Sequence, residues 1–414
     1  MSSGRPFDRL ALTGLHSAAI LEIHKTKMRT YLDHNATTPV DPRVLETMLP
    51  YFAERFGNAS SIHSAGQQAR AAVDAARESV AKLIGAKPAE IVFTSGGTEA
   101  DNLAILGSAS SSGKTRRHVI TTAIEHHAVL HSAQALQARG LDVTFVGVGS
   151  SGVVDPAEIR RALRPETAVI SVMHVNNELG TIQPIEEIGK LAEEAGVPFH
   201  CDAVQSAGKC PIDVKAARVN LLSLSAHKIC GPKGVGALYV RAGTHLEPQF
   251  HGGHHERDRR PGTENVAGIV GLGKAAELAR EQLPADAPRM AALRDRLEVS
   301  ICDAIPAVRV NGDAKRRAAG TTNLTFAGAG GEALLIALDL QGVACSTGAA
   351  CSSGAVEPSH VLLAIGLSHD EARSSLRFSL GRTTTVEEVD YARSVIPGVV
   401  ERLRSLSPIS AAAR

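Results

Sequence analysis

The chain has 414 residues, 43% of them hydrophobic, enough for one large globular unit and a smaller one. A formal net charge of +1, 3% aromatic residues and no tryptophan argue against nucleic acid or an acidic membrane surface as partners. No apolar run reaches the roughly 18 residues that cross a bilayer, and Cys201, Cys210, Cys230, Cys302, Cys345 and Cys351 form no Cys-x-x-Cys pair or zinc-type spacing, so a reducing, cytoplasmic setting without a metal site is expected.

Residues 1–29 read as an extension that is expected to be disordered. Arg5, Arg9, Lys25 and Lys27 flank a weakly apolar stretch, Asp8 and Glu22 weaken a transit-peptide reading, and Met28 is a candidate initiator. Helical patterns follow over Pro42–Tyr51 and Ala65–Ile84, the second with Gly85 placed as its C-terminal cap. Strands then alternate with helices, which predicts an α/β layer fold with a mostly parallel sheet. The strands are expected at Glu90–Thr94, His118–Thr122, Asp142–Val148, Ala168–Met173, Pro198–Cys201, Leu221–Leu224 and Ala237–Val240. Helices fit at Glu99–Leu106, His127–Arg139, Pro156–Leu163 and Ile185–Glu194.

Such sheets bind ligands at the carboxyl ends of their strands, so the residues just after each strand carry the information. A glycine turn opening a helix, Ser95–Asn102, offers free amides and the positive end of a helix dipole, but also reads as an ordinary turn capped by Thr98. The later strand ends carry Glu125-His126-His127, His174-Val175-Asn176-Asn177-Glu178, Asp202-Ala203-Val204-Gln205-Ser206 and Ser225-Ala226-His227-Lys228. Each alone has a structural reading; one rim holding an anion cradle, an imidazole, an Asn, an Asp and a Lys is hard to reach by chance. Lys228, at a strand end among small residues, is a candidate Schiff-base former.

The stretch from His251 to Thr263 reads as a glycine-rich loop walling a site, since its histidines lack a supporting carboxylate or thiol set for a metal. Helix Val266–Gln282 follows, and Pro284–Pro288 is expected to mark a domain junction. A smaller α/β unit comes next, with a helix near Arg289–Ile305, strands at Val308–Asn311 and Thr322–Phe326, and a helix over Gly331–Gln341. Within it, Cys345 to Val356 is built of small residues, which predicts a mobile loop with Cys351 exposed; Cys302 and Cys345 read as buried structural thiols. Arg377, expected on a strand, has a planar fork suited to a carboxylate or to a salt bridge.

Taken together, LDHNATTP, FTSGGTEADN, EHHAVL, MHVNNELG, HCDAVQSAGK, SLSAHKICGPKGVGALYVR, HGGHHERDRRPGTEN, ACSSGAVEPSHVL and SSLRFSLGR resemble the pyridoxal-phosphate cysteine desulfurases, the NifS/IscS-like branch of the class V aminotransferases. The resemblance runs from about Tyr31 to near the C-terminus. It implies the type I, aspartate aminotransferase-like fold: a large cofactor-binding domain over residues 45–284 with a mostly parallel seven-stranded sheet, and a small domain from residues 30–44 and 285–414 carrying a mobile catalytic loop at about 343–358.

It also implies roles. Lys228 would bond the aldehyde of pyridoxal 5'-phosphate, Asp202 would pair with its pyridinium nitrogen, Gln205 with its ring oxygen, and His126 would stack on the ring. Gly97, Thr98, Ser225 and His227 would hold the phosphate, with Thr263 reaching it from a second subunit of a homodimer. Asn177, beside the cofactor, and Arg377 would take the substrate carboxylate. Cys351 would attack the sulfur of L-cysteine, giving L-alanine and a persulfide for a sulfur acceptor or iron–sulfur scaffold protein, while Lys228 and His126 move protons. The loop length resembles the branch that delivers sulfur directly. Departures are mild: Cys345 is an extra thiol, Ala226 stands where many members have glycine, and Gly97 where many have alanine. An aminotransferase on the same scaffold would not need Cys351, and a non-catalytic scaffold protein would not need Lys228, Asp202, His126 and Cys351 together.

Overall fold

The structure, a computed structural model, describes residues 29–113, 115–347 and 357–406. The expected N-terminal extension, apart from Arg29, and Cys351 lie outside the described residues.

Seven strands form the central sheet close to the predicted positions: β2 (Ile91–Thr94), β3 (His118–Thr122), β4 (Asp142–Val146), β5 (Thr167–Ser171), β6 (Phe199–Asp202), β7 (Leu221–Ser225) and β8 (Gly236–Val240), after a short β1 (Thr30–Tyr31) that lies elsewhere. Their order is β2-β8-β7-β6-β5-β3-β4. Only β8 runs antiparallel to its neighbours, β2 and β7. Five of the seven are buried along their whole length and β8 likewise, as expected where helices cover both faces of a sheet; the edge strand β4 is partly open.

Helix α1 (Ser64–Ile84) ends at Gly85, whose φ of 71° is the left-handed cap that glycine adopts without a Cβ penalty. Helices α2 (Gly97–Ser111), α3 (His127–Ala138) and α4 (Ile185–Ala195) follow β2, β3 and β5. The patterning was legible because β-branched runs of strand length alternate with longer amphipathic stretches.

The junction expected at Pro284–Pro288 is instead the middle of one helix, α5 (Val266–Ala304). Each proline removes a backbone donor, yet burial on both sides carries the helix through. Its first half packs Ile269, Leu272, Ala275 and Ala279 into the main core, and its second half packs Leu293, Leu297 and Ile301 into a separate C-terminal core. That second core lies on an antiparallel sheet of β9 (Val308–Val310), β10 (Thr321–Phe326) and β12 (Ser375–Ser379), with helices α6 (Gly331–Leu340) and α7 (Val386–Leu406).

The loop predicted to open at residue 343 opens later. Val343 and Ala344 form β11, which pairs in parallel with β1, and Cys345 is buried in the C-terminal core. Val343 and Cys345 are both buried there.

One buried ion pair fixes the wall beside the sheet. Arg77 on α1 makes a two-pronged bond to Glu256, 2.7 Å at each prong, while Glu256 also accepts from the amide of Phe93 on β2. Replacing Arg77 by Ala should strand the Glu256 carboxylate in the core and lower unfolding free energy by about 3–5 kcal/mol, read as a drop in the midpoint of chemical denaturation with unchanged slope.

Candidate active site

Strand β7 is wholly buried and ends in a single 3-10 turn, Ala226–Lys228, that swings Lys228 back over the sheet edge. Residues 33–39 lie across this turn. Thr38 Oγ donates to the His227 carbonyl at 2.8 Å and accepts from the Cys230 amide at 2.9 Å. Lys228 Nζ donates to the carbonyls of Asn35 (2.5 Å) and Ala36 (2.7 Å). Burial, and then the positive charge of Arg377, lower its pKa to about 8 against the opposing pull of Asp202 and Asp33.

A cavity of about 430 Å³ opens here, and ten predicted site residues line it: Gly97, Thr98, His126, Asn177, Asp202, Gln205, Ser225, His227, Lys228 and Arg377. At one end lies the start of α2. The residue in the cap position is Gly96, which supplies no side-chain cap, so Thr98 is not the capping residue that one reading of the turn expected. The first amides of the helix are left for an anion. A Cβ on Gly97 would come within 2.7 Å of Val204 Cγ2, so the cradle is closed from behind. His227 faces it too; burial and the neighbouring Lys228 charge lower its pKa to about 4, leaving a neutral ring.

At the centre, Asp202 ends β6 and accepts from the Val204 amide at 2.9 Å. Beneath it are two buried carboxyls that the sequence did not single out. Burial, then the charge of Asp202, push Asp101 far above the carboxylate range, and burial raises Glu125 to about 8. Asp202 is raised as well, by burial, against Val204 and Lys228. Asp101 and Glu125 therefore hold protons while Asp202 is the one of the three best placed to carry charge. His200, lowered to about 3 by burial, is neutral between Ser171 (2.8 Å) and Ser223 (3.0 Å). His126 caps α3, its Nδ1 accepting from the Ala128 amide at 3.1 Å. Burial, then Lys228, lower it to about 4, which leaves an uncharged planar ring at the cavity wall.

At the other end, Arg377 on β12 is held by Asp33 (2.6 Å) and by the backbone carbonyl of Asn177 (2.9 Å), and its buried Nε has no partner among the described residues. Asp33 and Asn35 were missed as site residues, although both stand in the first motif; a short Asp-His-Asn run reads as a turn until the fold lays it over the lysine.

Thr263 is the exception. It lines a separate shallow cavity with Phe250, His251 and Arg260, and Arg260 is bonded to Glu99 at the start of α2. Two residues bracketing the Cys351 segment do reach the main cavity. Ser346 and His360 line it; the Ser346 and Arg377 backbones bond each other at 3.2 and 2.6 Å, and His360 bonds the Glu125 carbonyl at 2.9 Å.

Comparison with known proteins places this arrangement. The profile of the family described as "Aminotransferase class-V" matches residues 30–392, so the chain belongs to that family. Within it, the chain is 53% identical to the cysteine desulfurase IscS of Anaeromyxobacter dehalogenans over 92% of its own length and 95% of that protein's. Among solved structures it is similar to a NifS-like protein (TM-score 0.86, 38% identity, covering 91% of this chain and 100% of the other) and to SspA in complex with cysteine (TM-score 0.77, 40% identity, covering 86% and 100%).

An amine must be neutral to attack an aldehyde. Because its surroundings lower the Lys228 pKa to about 8, the rate at which this lysine reacts with an added aldehyde should climb with pH and level off not far above 8, well short of the usual lysine range near 10.4. Stopped-flow absorbance across pH reads this directly, and a rate still rising steeply at pH 10 would contradict the placement.

Proposed function

We propose that the chain is a cysteine desulfurase that binds pyridoxal 5'-phosphate, takes sulfur from L-cysteine onto Cys351 and releases L-alanine. The observation that carries the reading is that both flanks of the Cys351 segment, Ser346 and His360, line the cavity that holds Lys228, Asp202 and Arg377. The names of the relatives, and the cysteine complex of SspA, support the substrate.

The residues fit the cofactor. Lys228 is a desolvated amine, Asp202 is a buried carboxylate with no arginine or lysine bonded to it among the described residues, and an uncapped helix start with Ser225 and His227 suits a phosphate. When bound there, the cofactor supplies an electron sink for charge developing at the substrate α-carbon.

This chain's residues do the rest. Arg377, already oriented by Asp33, and Asn177 take the substrate carboxylate. Lys228 would move the α-proton, and neutral His126, in the same cavity wall, would be a second proton carrier. The Cys351 thiolate attacks the substrate sulfur: a sulfur–sulfur bond forms, the carbon–sulfur bond breaks with its electron pair left on carbon, and protonation of that carbon gives L-alanine. The persulfide then passes to a sulfur acceptor or iron–sulfur scaffold protein. A homodimer, with Thr263 serving the partner's phosphate site, is supported by the position of Thr263 outside its own chain's cavity and by exposed Phe52, Phe56 and Ile62. A cytoplasmic setting accords with the free thiols; no helix among the described residues is long and apolar enough to cross a membrane.

The test separates two roles. Lys228→Ala should abolish the covalent cofactor absorbance. Cys351→Ser should keep it but stop release of alanine and sulfide from L-cysteine with a thiol reductant; a variant that releases both at the normal rate would refute Cys351 as nucleophile. Arg377→Ala should raise KM for L-cysteine roughly 10- to 100-fold, the loss of one charged hydrogen-bonded contact, measured by steady-state alanine assay.

A further inference from the structure

A second lysine stands beside the cavity without lining it. Lys209 closes the HCDAVQSAGK stretch, and Gly208 before it turns the chain in the left-handed region at φ 70°. A Cβ on Gly208 would sit 3.0 Å from both Ala279 Cβ and Ile229 Cγ2, so the turn is packed as well as strained for any other residue. It returns Lys209 to Gln205, four residues earlier. Lys209 Nζ donates to Gln205 Oε1 (2.8 Å) and to Asn35 Oδ1 (2.8 Å).

These contacts decide which way round the Gln205 amide lies. Its nitrogen donates to the Asn35 carbonyl at 2.8 Å, and a carbonyl can only accept. Its oxygen meets an ammonium, which can only donate. Both ends are committed by the chemistry of their partners, and what remains for the cavity is the second N–H of the amide. Asn35 is held in the same way: its side-chain nitrogen donates to the Asn177 carbonyl (3.1 Å) and Thr321 Oγ (3.0 Å), and its oxygen faces Lys209.

We propose that Lys209 is a positioning residue that locks the Gln205 amide with its N–H toward the ring oxygen of the cofactor, so that this contact is always a donated hydrogen bond. The inference rests on the reading of the cavity as a pyridoxal-phosphate site. Lys209 does not touch the reacting atoms; it acts through Gln205 and Asn35. Lys228, Arg377, the thiols of Cys210 and Cys230, and the rings of His34 and His227 are the titratable groups coupled to it, and burial, then the two cations, lower its pKa to about 7. Above that pH the neutral amine keeps two N–H groups for the same two acceptors, and the Asn35 carbonyl, which can only accept, still opposes the flipped amide.

A donor at the ring oxygen stabilises negative charge there, which is greatest when the nitrogen linking Lys228 to the cofactor has lost its proton. The donor therefore lowers the pH at which that proton leaves. In holoenzyme of the full chain, the pH midpoint of the visible absorbance change should move up by about one unit or more in Lys209→Met. Lys209→Arg, which keeps the donors, should stay near the wild-type midpoint. Lys209→Gln should shift in the same direction as the methionine variant, because its amide can accept as well as donate and no longer forces Gln205 one way; it serves if the methionine variant does not fold, judged by melting of the apoprotein. In a Gln205→Leu background, Lys209→Met should add no shift. An unmoved midpoint in folded Lys209→Met or Lys209→Gln overturns the proposal, and so does an equal shift in the Gln205→Leu background, which would mean that Lys209 acts by its charge alone. Failure of the underlying reading looks different: wild-type protein would show no visible band dependent on Lys228.

Discussion

The site depends on one constraint, the removal of its charged groups from water at the carboxyl edge of a buried parallel sheet. β6 and β7 are covered on both faces, so whatever follows them starts its course inside the protein. Lys228 and Asp202 consequently pay a desolvation cost that surface residues avoid, and the site answers with backbone: two carbonyls for the lysine, one amide for the aspartate. An amine held this way is partly neutral near physiological pH, the state in which it is a nucleophile and a base.

Segment 30–39 is what makes the enclosure possible. β1 pairs with β11, and Asp33 bridges to Ser379 on β12, so the segment is fastened to the C-terminal core. Its other end lies over the lysine turn of the large sheet. Arg377 is thereby brought from the C-terminal sheet to the same cavity, with Asp33 as its counter-ion. Helix α5 makes the second connection, and its two halves serve two cores despite the prolines between them.

The strands and most helices were legible because their hydrophobic periods are clean, and the rim residues were legible because they follow strands. The long helix was not, since Pro284 and Pro288 are local stop signals and the burial that overrides them comes from residues far away in the chain. Nor was the start of the loop, where Val343 gains its place by pairing with Thr30 and by burial in the C-terminal core. Within the site, Lys228, Asp202 and Arg377 could be picked out by residue type. Asp101, Glu125, Asn35 and Lys209 could not, because their importance lies in which polar atom each faces, and that is a property of the folded chain.

Protonation then sets the charge balance of the cavity. His126, His227 and His200 are kept neutral by burial, and Asp101 and Glu125 keep their protons. The groups left to carry charge are Lys228 in part, Arg377 and, below its pKa of about 7, Lys209, against Asp202 and Asp33, while burial shifts the wall carboxyl of Glu178 upward. The open start of α2 adds its partial positive charge to these cations. Such a site suits the proposed ligands, a phosphate at α2 and a carboxylate at Arg377, and the cavity between these residues is lined by the flat neutral ring of His126. The buried carboxyls of Asp101 and Glu125 oppose such ligands little, because desolvation raises their pKa and keeps them protonated. The same burial that lowers the Lys228 pKa thus also shapes the charge that any ligand of the cavity would meet.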